Sequence, residues 1–316
     1  MATRIALLSA YSLCYSTLRS EALFSRLDAW GIERVAITDL DTLSGYPLLR
    51  SLAHERDITL IAGAALSVGE ERIYALAEDE AGYQQLCALL TAHNREPTAS
   101  YLAALQRTEN ALTLATSSPA LLSALKETTP RLFAAITPTD LRAVTAAKAL
   151  GLKLLACDDA YLFSKEEWPT HRLLRAIGSN STIQGDQGPG RGGVLLDPEA
   201  WRDAFSSWPE AMENTEAIAS YDPFCHPLIF PDYPTDDPAS ELRKRVLSGA
   251  EIRYGELNDA ILSRIDYELA IIEEKGFSAY FLVMHDIVQM SSRTCGRGSG
   301  AASIVSYSLF ITAVDP

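Results

Sequence analysis

The chain has 316 residues, of which 47% are apolar and 22% charged, with a formal net charge of −14. No apolar run reaches the roughly 18–20 residues that cross a bilayer, and the opening MATRIALLSAY reads as a strand rather than a secretory leader. A membrane protein is therefore excluded, the cytoplasm is the expected compartment, and a free-standing duplex-binding domain, which needs a basic face, is disfavoured.

In chain order, short β-rich apolar runs predict strands at 5–8, 35–38, 59–64, 72–77, 112–116, 132–136 and 152–156. Between them, apolar residues at helical spacing predict helices near 20–30, 44–55, 81–93, 100–107, 119–126, 139–150 and 166–177. Thr139 and Asp140 after Pro138 are expected to cap the helix that Gly151 closes. Repeated β–α units imply an α/β fold with parallel strands and helices outside. Seven strands favour closure into a barrel. The run QGDQGPGRGG (184–193) is a linker, after which the pattern turns almost wholly helical: 198–207, 209–220, 238–254, 258–275, 280–292 and 300–309. Five prolines within 221–238 mark a division, which we place between domains 1–225 and 226–316.

Few residues offer chemistry. The five cysteines (Cys14, Cys87, Cys157, Cys225, Cys295) form no CxxC pair and are expected to be reduced, mostly buried thiols. Asp39, Asp41, Asp158 and Asp159 are the carboxylates at strand tips, where an α/β barrel builds its site. No histidine joins them: His54, His93, His171 and His285 fall in helices, and His226 in the proline-rich segment. Neither a GxSxG elbow nor a GxxxxGK[ST] loop occurs. One glycine-rich turn remains, Gly296-Arg297-Gly298-Ser299-Gly300, running into an expected helix. Its backbone, the arginine fork, the serine hydroxyl and the first free N–H groups of that helix suit phosphate oxygens.

The block YELAIIEEKGFSAYFLVMHDIVQMSSRTCGRGSGAASIVSYSLFITAVDP (267–316) resembles the start of the palm in C-family bacterial DNA polymerases, the DNA polymerase III alpha subunit and its error-prone relatives. Gly276-Phe277-Ser278-Ala279-Tyr280-Phe281-Leu282, His285-Asp286-Ile287-Val288, the Gly-Arg-Gly-Ser loop and the final Ile-Thr-Ala-Val-Asp-Pro carry the likeness. The wording HDIV and ITAVDP is nearer the error-prone branch. Upstream, SAYSL (9–13), VAITDLDTLSGY (35–46), LIAGAALSV (60–68) and LLACDDAYL (154–162) resemble the polymerase-and-histidinol-phosphatase (PHP) domain. The resemblance implies a distorted barrel of the same strand number. It also implies that Gly296, Arg297, Gly298, Ser299 and Gly300 grip the triphosphate of an incoming nucleotide.

The family's metal-binding members have ligands that this chain lacks. The positions matching a His-X-His pair are Ala6 and Leu8; a third histidine is Leu40, a glutamate is Ala65, and the histidine paired with Asp158 is Ala160. The resemblance therefore implies a degenerate metal site in an inactive PHP scaffold. In the family, the palm aspartates that hold Mg2+ lie downstream of the loop, so no catalytic residue is assigned here, no cofactor is expected in this chain alone, and Mg2+ is implied only for an intact palm. DNA and deoxynucleoside triphosphates are expected partners only within a larger polymerase, with replication or repair proteins as further ones. Two alternatives stand beside this reading. One is a divergent PHP phosphoesterase or exonuclease with a metal site rearranged onto Asp39, Asp41, Asp158 and Asp159. The other is a stand-alone accessory protein that docks a polymerase.

Overall fold

The computed structural model describes residues 3–96, 100–107, 110–185, 192–224 and 230–316. The chain divides into two units, Met1–Cys225 and His226–Pro316. The first begins β1 (Thr3–Leu7), α1 (Ser20–Ala29), β2 (Arg34–Ile37), β3 (Asp39–Leu40), α2 (Tyr46–His54), β4 (Thr59–Ile61), β5 (Gly63–Val68) and β6 (Glu71–Leu76). It continues through α3 (Glu80–Arg95), α4 (Tyr101–Leu105), β7 (Thr113–Thr116), α5 (Pro119–Leu125), β8 (Leu132–Ile136), α6 (Ala143–Leu150) and β9 (Lys153–Ala156). Three helices complete it: α7 (Trp168–Gly178), α8 (Pro198–Ala204) and α9 (Pro209–Glu216).

The strands lie in two sheets, ordered β1-β2-β4 and β3-β5-β6-β7-β8-β9. Among the described residues nine strands stand where seven are expected, because two of the expected ones break: only Thr38 separates β2 from β3, and only Ala62 separates β4 from β5. The parallel order also fails at β6, which runs antiparallel to β5 and to β7. Val68 pairs with Glu71 across a two-residue turn in which Gly69 has φ 62°. Glycine there tolerates the left-handed conformation that a tight hairpin demands.

Both faces of these strands are apolar, as expected of strands covered on both sides. In β8, Leu132, Ala134 and Ile136 join the large core under the helices, whereas Ala135 joins a second cluster with Ile5, Ala6, Ala36, Ile61, Ala65 and Leu155. Alanine is the commonest residue of that second cluster.

Helix α9 completes the open edges of β1 and β9 with side chains. Thr215 Oγ1 donates to Ala156 O (2.9 Å) and accepts from Ala156 N (3.1 Å), and Asn214 Nδ2 donates to Leu154 O (2.9 Å). Glu216 accepts from Thr3 N (2.9 Å) and Thr3 Oγ1 (2.7 Å). Three consecutive residues of one helix thus satisfy backbone groups that a further strand would otherwise take. Thr215→Val keeps the shape but strands the buried Ala156 N–H, an expected loss of about 1–3 kcal/mol. Urea unfolding checks this, and an unchanged midpoint would contradict it.

Several local expectations change. The helix expected from 139 starts at Ala143, because Thr137 and Asp140 form an isolated bridge. The Asp140 carboxylate accepts from the Arg142 N–H and guanidinium instead of capping. Of the four described cysteines only Cys157 is buried, while Cys14 (φ 57°) is exposed in a turn and Cys295 is exposed in an irregular segment. Most of the 184–193 linker, and the segment holding Cys225 and His226, lie outside the described residues.

The second unit contains α10 (Pro238–Tyr254), α11 (Asp259–Glu274), α12 (Ser278–Gln289) and α13 (Ile304–Ser308) around Leu242, Val246, Ile265, Leu269, Leu282, Val305 and Leu309. Asp237 caps α10 and Asn258 caps α11, each accepting a first-turn N–H at 3.0 Å. Gly249 lets α10 and α13 meet: a Cβ there would lie 1.9 Å from Ser308 O. No helix among the described residues is long and apolar enough to cross a membrane.

Candidate functional site

The carboxyl ends of the strands in the first unit gather the positions at which the family resemblance implies metal ligands. Ala6, Leu8, Ala65 and Ala160 are buried and Leu40 is half-buried. Ala6 and Ala65 belong to the alanine-rich cluster, and Leu8 packs with Tyr15, Tyr161 and Leu162, with Leu40 and Trp168 alongside. β1 bulges between Arg4 and Leu7, and Ala6 holds φ 64° there. Left-handed alanine is strained, which marks a backbone fixed by its surroundings rather than by its own preference.

The carboxylates nearby are engaged by the protein itself. Arg4, 1% exposed in the middle of β1, donates Nε to Asp158 at 2.9 and 3.1 Å and Nη2 to the same carboxylate. Its Nη2 also donates to Leu196 O (3.0 Å), and its guanidinium lies 5.2 Å from the Trp201 ring. Asp39 accepts from Ser9 N (2.7 Å), Ser9 Oγ (2.8 Å) and Ser12 Oγ (2.7 Å). Burial pushes the Asp39 carboxyl above its usual range, against the pull of those serine bonds. Asp159 (φ 46°) accepts from Tyr74 Oη (2.8 Å) and pairs with Arg72, which also donates to Tyr15 Oη. Asp41 accepts from Ser67 N (2.9 Å). A cleft of about 890 Å3 opens beside them, lined by Tyr15, Leu40, Arg72, Tyr74, Arg142 and Asp159 among others.

These residues do not fit a metal centre. A metal ion needs free oxygen or nitrogen lone pairs converging on one point, and here guanidinium, phenol, hydroxyl and amide donors take them. Among the described residues no three His, Cys, Asp or Glu side chains form a group that could hold an ion. The histidines do other work: His171 is fully buried with Nδ1 2.6 Å from Tyr15 O, and His285 Nδ1 lies 3.0 Å from Leu309 O. Arg4 is the participant that sequence reasoning missed. A single charge inside a strand reads as a solvent-facing residue, and nothing local points to Asp158, 154 positions away.

A buried ion pair is costly to break because removing one partner leaves the other charge stranded. Asp158→Ala should therefore destabilise the first unit by about 3–5 kcal/mol, whereas Arg4→Met combined with Asp158→Leu should recover most of that loss. Denaturant unfolding of the three proteins checks this; a loss below about 1 kcal/mol for Asp158→Ala would place the pair with exposed salt bridges.

In the second unit, Arg297, Gly298, Ser299 and Gly300 are exposed, Gly296 is half-buried and Gly298 has φ 73°. The helix expected over 300–309 splits into a 3-10 turn, Ser299–Ala302, and the five residues of α13. Its first N–H groups are not free. Ser303 Oγ accepts from Ser306 N (3.1 Å), and Glu268 Oε2 accepts from Val305 N (3.3 Å) and Ser303 Oγ (2.7 Å). The donors the loop leaves open are the backbone of 296–300 and Arg297, which has no ion-pair partner among the described residues.

Comparison with known proteins agrees with both halves. Residues 7–137 match the sequence model of the PHP domain. Residues 240–316 match that of the bacterial DNA polymerase III alpha NTPase domain. The chain therefore carries a PHP domain followed by a segment of the polymerase III alpha NTPase domain, as its resemblances imply. It is 29% identical to an error-prone DNA polymerase of Symbiobacterium thermophilum, over 97% of this chain and 34% of that protein. It is 30% identical to error-prone DNA polymerase 1 of Rhizobium meliloti, over 90% of this chain and 29% of that protein. A DNA polymerase III subunit alpha of Borreliella burgdorferi is 31% identical over 55% of this chain and 17% of its own length. The chain spans about a third of the length of the curated relatives it matches most fully. Among solved structures, an amidohydrolase from Chromobacterium violaceum aligns with 65% of this chain and 96% of its own, at 11% identity and a TM-score of 0.37, too distant to bear on the site.

Proposed function

We propose that the chain is the PHP-and-early-palm portion of a C-family DNA polymerase-like protein, with residues 1–225 a catalytically silent scaffold and 226–316 the start of the palm. One observation carries the reading: the five implied ligand positions are filled by apolar residues, four buried in the core and Leu40 packed against it, and the carboxylate that remains, Asp158, is bound on both oxygens by Arg4. The two sheets are parts of one distorted barrel, which the bonds from Asp158 N to Ile5 O (2.9 Å) and Leu8 N to Ala160 O (2.8 Å) support by joining the end of β9 to β1. Gly296 to Gly300 grip the triphosphate of an incoming deoxynucleotide, with Arg297 supplying charge. Mg2+, DNA and the chemistry of extension belong to the larger polymerase. Names among the matching relatives support the error-prone branch.

The test is a pair of assays on the purified chain with Mg2+, Mn2+ or Zn2+ present: primer extension on a template, and release of nitrophenol from a phosphodiester. Neither activity is expected above a buffer blank. Metal-dependent phosphodiester hydrolysis that Asp39→Ala or Asp159→Ala abolishes would establish the rearranged-site phosphoesterase instead. Template-dependent extension would show that the chain holds a working palm.

A further inference from the structure

The loop 296–300 is fixed at both ends and open between them. At its start, Gly296 packs so closely on the segment after α13 that an added Cβ would lie 3.0 Å from Ile311 O and 3.1 Å from Thr312 Cβ. At its far end stands Glu268, a residue of α11 whose side chain is only 12% exposed. Its carboxylate is divided between two tasks. Oε1 accepts from Arg264 Nε (2.8 Å), and Oε2 accepts from Ser303 Oγ (2.7 Å) and Val305 N (3.3 Å). These bonds tie the residue that ends the 3-10 turn, and the first turn of α13, to a long helix of the core.

We infer that Glu268 is a positioning residue for the phosphate-gripping loop, setting the backbone of 298–300 by anchoring Ser303. The inference rests on the loop being a triphosphate grip. Two opposite effects of the Glu268 charge can be weighed. A carboxylate near an anion site repels the ligand, but Arg264 at 2.8 Å offsets that charge. Truncating the side chain removes the hydrogen bonds to Ser303 and Val305 together with the charge, whereas a glutamine keeps one acceptor oxygen for them. Loss of position therefore outweighs loss of repulsion in Glu268→Ala.

Cys295, exposed beside Gly296, provides a native reporter, and exposed Cys14 in the other unit an internal control. The experiment measures alkylation of each thiol by iodoacetamide in the whole chain, by peptide mass spectrometry, as dATP with Mg2+ is raised into the millimolar range. In the wild type, dATP is expected to slow alkylation at Cys295 and leave Cys14 unchanged, and Arg297→Ala should remove the effect. Glu268→Ala should shift half-protection to about tenfold higher dATP, a size typical of indirect coupling, with Glu268→Gln, which keeps one acceptor oxygen for Ser303 and Val305, partly restoring it. Ser303→Ala, which removes the other end of the same contact and leaves Glu268 charged, should move it in the same direction and serves if Glu268→Ala does not fold. A merely structural Glu268 would lower the melting temperature without moving half-protection, and that outcome, or tighter protection in Glu268→Ala, overturns the assignment. Absence of protection in the wild type overturns the loop reading itself.

Discussion

Asp158 follows the last strand of the first unit and Arg4 lies within the first, so the bond between them ties the two ends of the fold together where neither end is exposed. A guanidinium presents fixed parallel donors and keeps its charge at any pH a protein meets. It can hold both carboxylate oxygens as a cation would, with no need of bulk solvent. The bulge in β1, the left-handed Ala6 and the seal made by α9 all sit around this bond. The strand that carries Arg4 also carries Thr3, which takes Glu216 of α9.

The same substitution of internal donors for external ligands recurs across the molecule. Asp39 is held by two serines, Asp159 by Arg72 and Tyr74, and Glu268 by Ser303 and the start of α13. Each of these three acidic groups is already satisfied by a neighbour. The consequence differs with place. At the strand tips it leaves a packed scaffold beside a polar cleft. At the glycine-rich loop it fixes the backbone and leaves Arg297 exposed.

The sequence made the alternation of strands and helices legible because fully buried strands read as apolar runs and the helices carry their own period. It did not reveal that β6 reverses direction, although Gly69-Glu70 between two β-rich runs is a hairpin signal. Single-residue breaks at Thr38 and Ala62 leave no mark in a periodic pattern. The loop at 296–300 was visible from its glycines, but the short α13 was not: Ser303 ends the 3-10 turn and caps a new helix, and Glu268 takes the Val305 N–H from 37 positions upstream. The erased ligand positions were legible only through resemblance to the PHP domain, since Ala6 or Leu8 alone reads as core. Long-range pairs such as Arg4–Asp158 depend on how the sheet brings distant segments together, which no local pattern encodes.

The account's central claim is that protein donors, and not metal ions, satisfy the former metal site of the PHP domain. Elemental analysis of the purified chain, after saturation with zinc and manganese and removal of the excess by gel filtration, tests it most directly. The claim predicts far less than one ion per chain, with no change when Asp158 or Asp39 is altered. Two or three ions retained per chain, and lost on substitution of those aspartates, would contradict it.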